Sequence, residues 1–240
     1  MLLQSALTER IILVAIFQIW PIIYDSFFAY KLLKRATNRS TVTLSCLFIF
    51  MALAYFLASA SIFLTNTPFA YLCYIIGFFA FIFAHSFIII FSWLIANLDK
   101  KLSSKYYLGI LIYGILSTYV FWVGIFFEGI QYDSSTGWIP IFSWLFLFIN
   151  YSYIIIFLIV PEIILAVKLI NIFEGILLKR RIKLFLISIF LELAIVLLLV
   201  LYNTWINSTL VFKVIYLFII PPLGILTAYF IYKSFGKALE

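Results

Sequence analysis

The chain has 240 residues, 67% of them hydrophobic and only 10% charged, with a net charge of +7. Soluble domains run about 45–50% apolar and about 25% charged. With a mean hydropathy of +1.23, this composition excludes a soluble globular domain, a disordered chain and a disulfide-rich secreted module. It points to an all-α integral membrane protein, with residues 1–240 forming a single bundle.

A helix needs about 20 apolar residues to cross the hydrocarbon core of a bilayer. Seven stretches meet that length, at about 11–33, 41–65, 69–97, 106–127, 139–170, 184–203 and 210–232. They are continuous apolar runs rather than ten-residue alternations, which predicts helices and not a β-barrel.

The first ten residues lack a basic n-region and a small-residue cleavage site, and span one is too long for a signal-peptide core, so it is expected to be retained. It carries Gln18, Pro21 and Asp25 at i, i+3 and i+7, on one helical face, flanked by Trp20 and Tyr24. The connection after it holds Lys31, Lys34, Arg35 and Arg39. Span two contains Cys46, and span three contains Cys73 and His85. The two cysteines fall near opposite membrane faces, so no disulfide joins them and each is read as a small hydrophobe.

Lys100, Lys101 and Lys105 precede span four, and a turn-rich loop from Glu128 to Trp138 follows it. Span five carries Pro161 and Glu162. Lys168, Lys179, Arg180, Arg181 and Lys183 come next. Span six places Ser188 and Glu192 on one face. Asn207-Ser208-Thr209 is an N-glycosylation pattern in the loop after it. Span seven has a mildly polar stripe of Lys213, Tyr216, Gly224 and Thr227, with the pair Pro221-Pro222 inside it, and Lys233 and Lys237 beyond.

The basic residues set the expected orientation. Of the 16 lysines and arginines, all but Arg10 and Lys213 fall on one side of these seven spans. The positive-inside rule makes that side cytoplasmic, with the N-terminus outside and the C-terminus inside. Insertion bias and contact with anionic lipid account for the positive charge, so no nucleic-acid partner is implied. Trp138, Trp144 and Trp205 near one interface, and Tyr30, Trp93 and Tyr229 near the other, fit aromatic belts.

Ionisable residues at membrane depth cost about 2.5–3.5 kcal/mol on insertion scales, which makes each a functional candidate. Asp25, His85, Glu162 and Glu192 are the four, expected to share a cavity for a ligand or a proton, with Gln18, Trp20 and Tyr24 around it. No Lys or Arg lies at matching depth in the seven spans. Pro21, Pro161, Pro221 and Pro222 are expected to kink their helices and free backbone carbonyls. No metal set and no cofactor is implied.

Absences narrow the function. Retinal binding needs a lysine in the middle of the last span, and Lys213 lies near one end. Span three ends Asn97-Leu98-Asp99-Lys100, without the arginine motif of common G-protein-coupled receptors. One histidine cannot make a seven-helix zinc hydrolase or a bis-histidine haem, and no second aspartate or serine motif supports an intramembrane protease. An enzyme is not expected. In span count, orientation and a basic first inner loop, the architecture resembles the seven-helix membrane modules at the N-terminus of many microbial sensor kinases.

The leading expectation is a receptor-like or sensory module of the cell membrane, in which a small ligand or proton shifts helices and a cytoplasmic partner reads the basic loops Lys31–Arg39 and Lys179–Lys183. The output is expected to pass to a separate protein or across the membrane. The second expectation is a transporter built as a 3+1+3 parallel repeat, because Trp20-Pro21 followed by Leu32-Leu33-Lys34-Arg35 echoes Val160-Pro161 followed by Leu177-Leu178-Lys179-Arg180. The third is an accessory subunit of a larger membrane complex or oligomer.

Overall fold

The computed structural model describes residues 18–35, 38–65, 67–97, 104–173, 175–205 and 210–236. Among them it forms an all-α bundle with a single small hairpin. The helices are α1 (Ile19–Arg35), α2 (Arg39–Phe63), α3 (Pro68–Ile95), α4 (Ser104–Phe126), α5 (Trp144–Ile172), α6 (Ile176–Thr204) and α7 (Leu210–Gly236). Helices α2 to α6 are each long and apolar enough to cross a membrane. Helix α7 adds a further apolar segment, Phe218–Ser234, among the described residues. The start of the first expected span (11–17), Arg10, Lys100, Lys101, Lys237 and the Asn207-Ser208-Thr209 pattern lie outside the described residues.

Local chemistry sets the boundaries. Asn38 caps α2, its Oδ1 accepting from Thr41 N at 2.8 Å. Pro68 opens α3, where a missing N–H costs no helical bond. Ser143 caps α5 through Phe146 N at 3.2 Å.

Three expected boundaries need correction. The fifth span begins at Trp144, not at 139, because Ile141–Phe142 pair antiparallel with Ile130–Gln131. The loop expected over Glu128–Trp138 is therefore a hairpin that continues to Ser143. The sixth span begins at Ile176, not at 184, so Lys179, Arg180, Arg181 and Lys183 lie on the first turns of α6 and not in a loop. Lys31, Lys34 and Arg35 likewise end α1, and Arg39 starts α2. The sequence underestimates these helices because basic side chains lower hydropathy without breaking a helix.

The repeat loses its support here. Leu32–Arg35 ends α1, whereas Leu177–Arg180 lies past the end of α5 and opens α6. The two motifs occupy non-equivalent elements.

Helix α3 is the centre of the bundle. Its apolar window is 89% buried, against 22% to 44% for the other four spanning-length helices. It packs on α2, α4 and α5, and on α6 through Phe91 and Phe185, whose rings are 5.4 Å apart. Gly77 lets α2 approach closely, since a Cβ there would stand 3.1 Å from Ala54 O. Helices α6 and α7 pair, and α7 returns to α1, where Tyr232 stacks on Phe28 at 4.7 Å.

The bundle is apolar on its outer surface as well as in its core. Its interior holds Asp25, Thr43, His85, Ser92, Asn150, Glu162, Glu192 and Thr227, while Phe27, Leu111, Phe148, Ile164 and Ile187 are exposed. That arrangement suits a hydrocarbon solvent, which leaves polar groups to find partners inside.

The two ends differ. At the basic end, Lys31, Lys34 and Lys233 lie over the rings of Phe27, Tyr30 and Tyr229, four residues earlier on their helices, and Arg35 lies over Tyr232. At the opposite end the hairpin folds over the bundle. Tyr132 is buried there, its hydroxyl 2.8 Å from Ser61 Oγ of α2 and its ring stacked on Tyr74 of α3 at 4.7 Å. Asp133 Oδ1 closes the tip by accepting from Ser135 N, Ser135 Oγ and Thr136 N. These bonds hold the Asp133 carboxyl below the usual carboxylate range, the Ser135 hydroxyl contributing most. Cys46 and Cys73 are both free thiols.

Candidate functional site

Four helices bring titratable side chains together in the core. His85 of α3 is buried, and its Nδ1 lies 2.7 Å from Phe81 O. A carbonyl only accepts, so Nδ1 carries a proton and Nε2 is left to face α6. There it stands 3.8 Å from Glu192 Oε1. The other carboxyl oxygen, Glu192 Oε2, is hydrogen-bonded to Thr227 Oγ1 of α7. Asp25 of α1 is buried and interacts electrostatically with Glu192. Tyr24, beside it on α1, senses Asp25, Glu192 and Tyr55 of α2.

Proton accounting shows what the cluster can do. Thr227 has one hydroxyl proton and two oxygen neighbours, Glu192 Oε2 and Gly224 O, the latter at 2.9 Å. When that proton goes back to Gly224 O, as helix hydroxyls commonly direct it, the Glu192 contact closes only with a proton on the carboxyl. When Glu192 is ionised, Thr227 donates to it. The Thr227 hydroxyl is thus compatible with two arrangements, which differ in whether it donates to Gly224 O or to the Glu192 carboxyl. Asp25 Oδ2 and His85 Nε2 are both buried without a hydrogen-bond partner, which leaves room for either state to recruit a proton or a ligand group. Unpaired buried polar atoms are unusual and call for such a reason.

The four candidate ionisable residues do not share one cavity. Asp25, His85 and Glu192 come together, whereas Glu162 of α5 accepts from Ser92 Oγ at 2.9 Å. Ser92 lies seven residues beyond His85 on α3, about 10 Å along the axis, so Glu162 belongs to a separate contact. Trp20 is also corrected: it is 60% exposed and faces away from the cluster. Gln18 turns toward α2 and accepts from Ser59 Oγ at 3.0 Å.

The prolines have different consequences. Pro161 lies two residues past the end of a wide π-helical stretch, Ile154–Ile159. Its ring removes the α-helical donor to Phe157 O, and Tyr113 Oη of α4 supplies one instead at 2.9 Å. Pro21 sits in the first described turn of α1, and Pro221 and Pro222 lie inside α7.

Sequence reasoning missed several partners. Ser92 was discoverable as the residue two turns from His85 on the same helical face. Asn150, fully buried, takes a bond from Tyr119 Oη at 2.7 Å, and Lys168 donates from within α5 to Asn97 Oδ1 at 2.9 Å. Thr227 belonged to the polar stripe of span seven, but its carboxyl partner depends on how α7 rotates against α6, which no periodicity reports.

In comparisons with known proteins, no family model matches the chain, and no curated protein or solved structure matches it either.

Proposed function

We propose that this chain is a seven-span protein of the cell membrane, with its N-terminus outside and its C-terminus cytoplasmic, and that it works as a receptor-like sensory module. The stimulus is a proton, or a small cation taking its place, at Asp25, His85 and Glu192. The observation that carries this reading is the position of His85 Nε2, 3.8 Å from Glu192 Oε1, with buried Asp25 within electrostatic range of that carboxyl.

The mechanism follows from the elements involved. The groups around His85 and Glu192 are Tyr24 and Asp25 on α1 and Thr227 on α7, with Tyr55 of α2 next to Tyr24. A proton gained or lost at Glu192 switches Thr227 between Gly224 O and the carboxyl. It also changes the repulsion that Asp25 feels. Both effects alter how α1 and α7 sit on the α3–α6 pair. Helices α1 and α6 each carry basic side chains at the same end, at Lys31–Arg35 and Lys179–Lys183, and that end is where a cytoplasmic partner would read the shift. A ligand can bias such an equilibrium only by binding one state better than the other, and protonation at Glu192 meets that condition.

The test is infrared difference spectroscopy of the full chain in lipid nanodiscs, stepped across the histidine range of about pH 5 to 8. A carboxylic-acid carbonyl band that changes across the step, and is lost in Glu192→Gln, is the expected result. No band change, or one that persists unaltered in Glu192→Gln and Asp25→Asn, would remove the proposal.

A further inference from the structure

A groove of about 380 Å³ runs between α3, α4 and α5, away from the acid–histidine cluster. Its walls include Ile89, Trp93, Gly109, Pro161 and Ile164, and Lys105 stands at one end. Two tyrosine hydroxyls could have made it polar. Both are turned into the protein: Tyr106 Oη pairs with Thr43 Oγ1 at 2.8 Å, and Tyr113 Oη donates to Phe157 O. What remains is an almost wholly apolar trough with Lys105 as the cation among its described lining residues.

Its floor is open by construction. A Cβ at Gly109 would meet nothing within 4 Å, so this glycine leaves the trough deeper than any other residue would. Lys105 is exposed on the first turn of α4, at the same end of the bundle as Arg35, Arg39 and Lys168. In a membrane that end lies at headgroup level, and anionic headgroups gather at basic side chains there.

We propose that this groove is a lipid site, holding one acyl chain of an anionic phospholipid along α4 and α5 with the phosphate on Lys105. An acyl chain fits the apolar walls, and the phosphate supplies the charge that Lys105 complements. The inference rests on the membrane-spanning reading but not on the acid–histidine cluster, so His85→Gln is expected to leave lipid retention unchanged even if the sensory proposal fails.

The experiment is native mass spectrometry of the full chain in detergent. Phosphatidylglycerol and phosphatidylcholine with identical acyl chains are added in equal amounts. The expected result is one retained phosphatidylglycerol, favoured several-fold over phosphatidylcholine. Lys105→Gln should bring the two lipids to parity. Gly109→Phe should reduce retention of both, while Gly109→Ala keeps it. Equal retention of the two lipids by the unaltered chain would overturn the proposal. So would a phosphatidylglycerol preference that survives Lys105→Gln, a test that does not depend on Gly109→Phe folding because Lys105 is exposed. Displacement of the lipid by excess inorganic phosphate would also overturn it, because a phosphate site alone does not need the groove.

Discussion

His85 Nε2 faces Glu192 Oε1 across the α3–α6 contact at 3.8 Å, with the histidine's other nitrogen bonded to its own helix at Phe81 O. The histidine's Nδ1 is therefore held by its own helix, and Nε2 is the nitrogen that faces Glu192. Removing one member of a buried charged pair costs about 3–5 kcal/mol when the other stays charged. Glu192→Gln should cost far less, because an amide keeps a hydrogen bond to Thr227 and suits a neutral His85. Glu192→Ala should cost clearly more. Unfolding in mixed detergent–denaturant checks the order of the two variants, and equal losses would argue against a carboxyl that can be neutral.

Tyr113 and Pro161 form a compensating pair. Tyr113→Phe leaves Phe157 O without its replacement donor, and an unsatisfied buried acceptor costs about 1–3 kcal/mol. Restoring the helical N–H with Pro161→Ala should recover most of that loss. The double variant is thus expected to be more stable than Tyr113→Phe alone, measured by thermal unfolding of the detergent-solubilised chain. Simple addition of the two single effects would contradict this coupling.

The hairpin over the non-basic end depends on a backbone approach. A Cβ on Gly129 would lie 2.6 Å from Val123 O, the acceptor of the Gly129 N–H. Gly129→Ala is expected to displace the strand pair and free Tyr132 from Ser61. Increased protease cleavage between Gln131 and Ile139 should report it, with the helices left intact.

The same hairpin should respond to acid. The hydrogen bonds to Asp133 hold its carboxyl low, so the stability they lend is present above the ordinary aspartate range and lost as pH falls through the lowered value. Protection factors at Ser135 and Thr136, taken against the intrinsic exchange rate at each pH, are expected to fall only at strongly acidic pH. In Asp133→Asn the protection should be weak at every pH.

The helices were legible in the sequence because membrane solvation writes them in long apolar runs, and α2, α3 and α4 begin and end within about two residues of expectation. Misplaced boundaries arose where another rule competed. Lys179 to Lys183 looked like a loop because charge lowers hydropathy, yet they continue α6. Ile139 to Phe142 looked like helix because β-strands and apolar helices share residue types over short spans. Within the site, Asp25, His85 and Glu192 were legible as costly residues at depth, and their faces followed from the 3.6-residue period. Which helices meet was not legible. Glu162 faces Ser92 rather than His85, and Trp20 faces outward, because the rotation of each helix is set by its packing on its neighbours and not by its own period.

The most direct test of a protonation-driven shift is a distance. Spin labels at Tyr30 on α1 and Ile187 on α6, both exposed, can be followed by double electron–electron resonance in nanodiscs between about pH 5 and 8. The expected result is a distance distribution that moves with pH in the otherwise unaltered chain and stays fixed in Glu192→Gln and in His85→Gln. A distribution indifferent to pH in the unaltered chain, or an identical shift in both variants, would contradict the central claim.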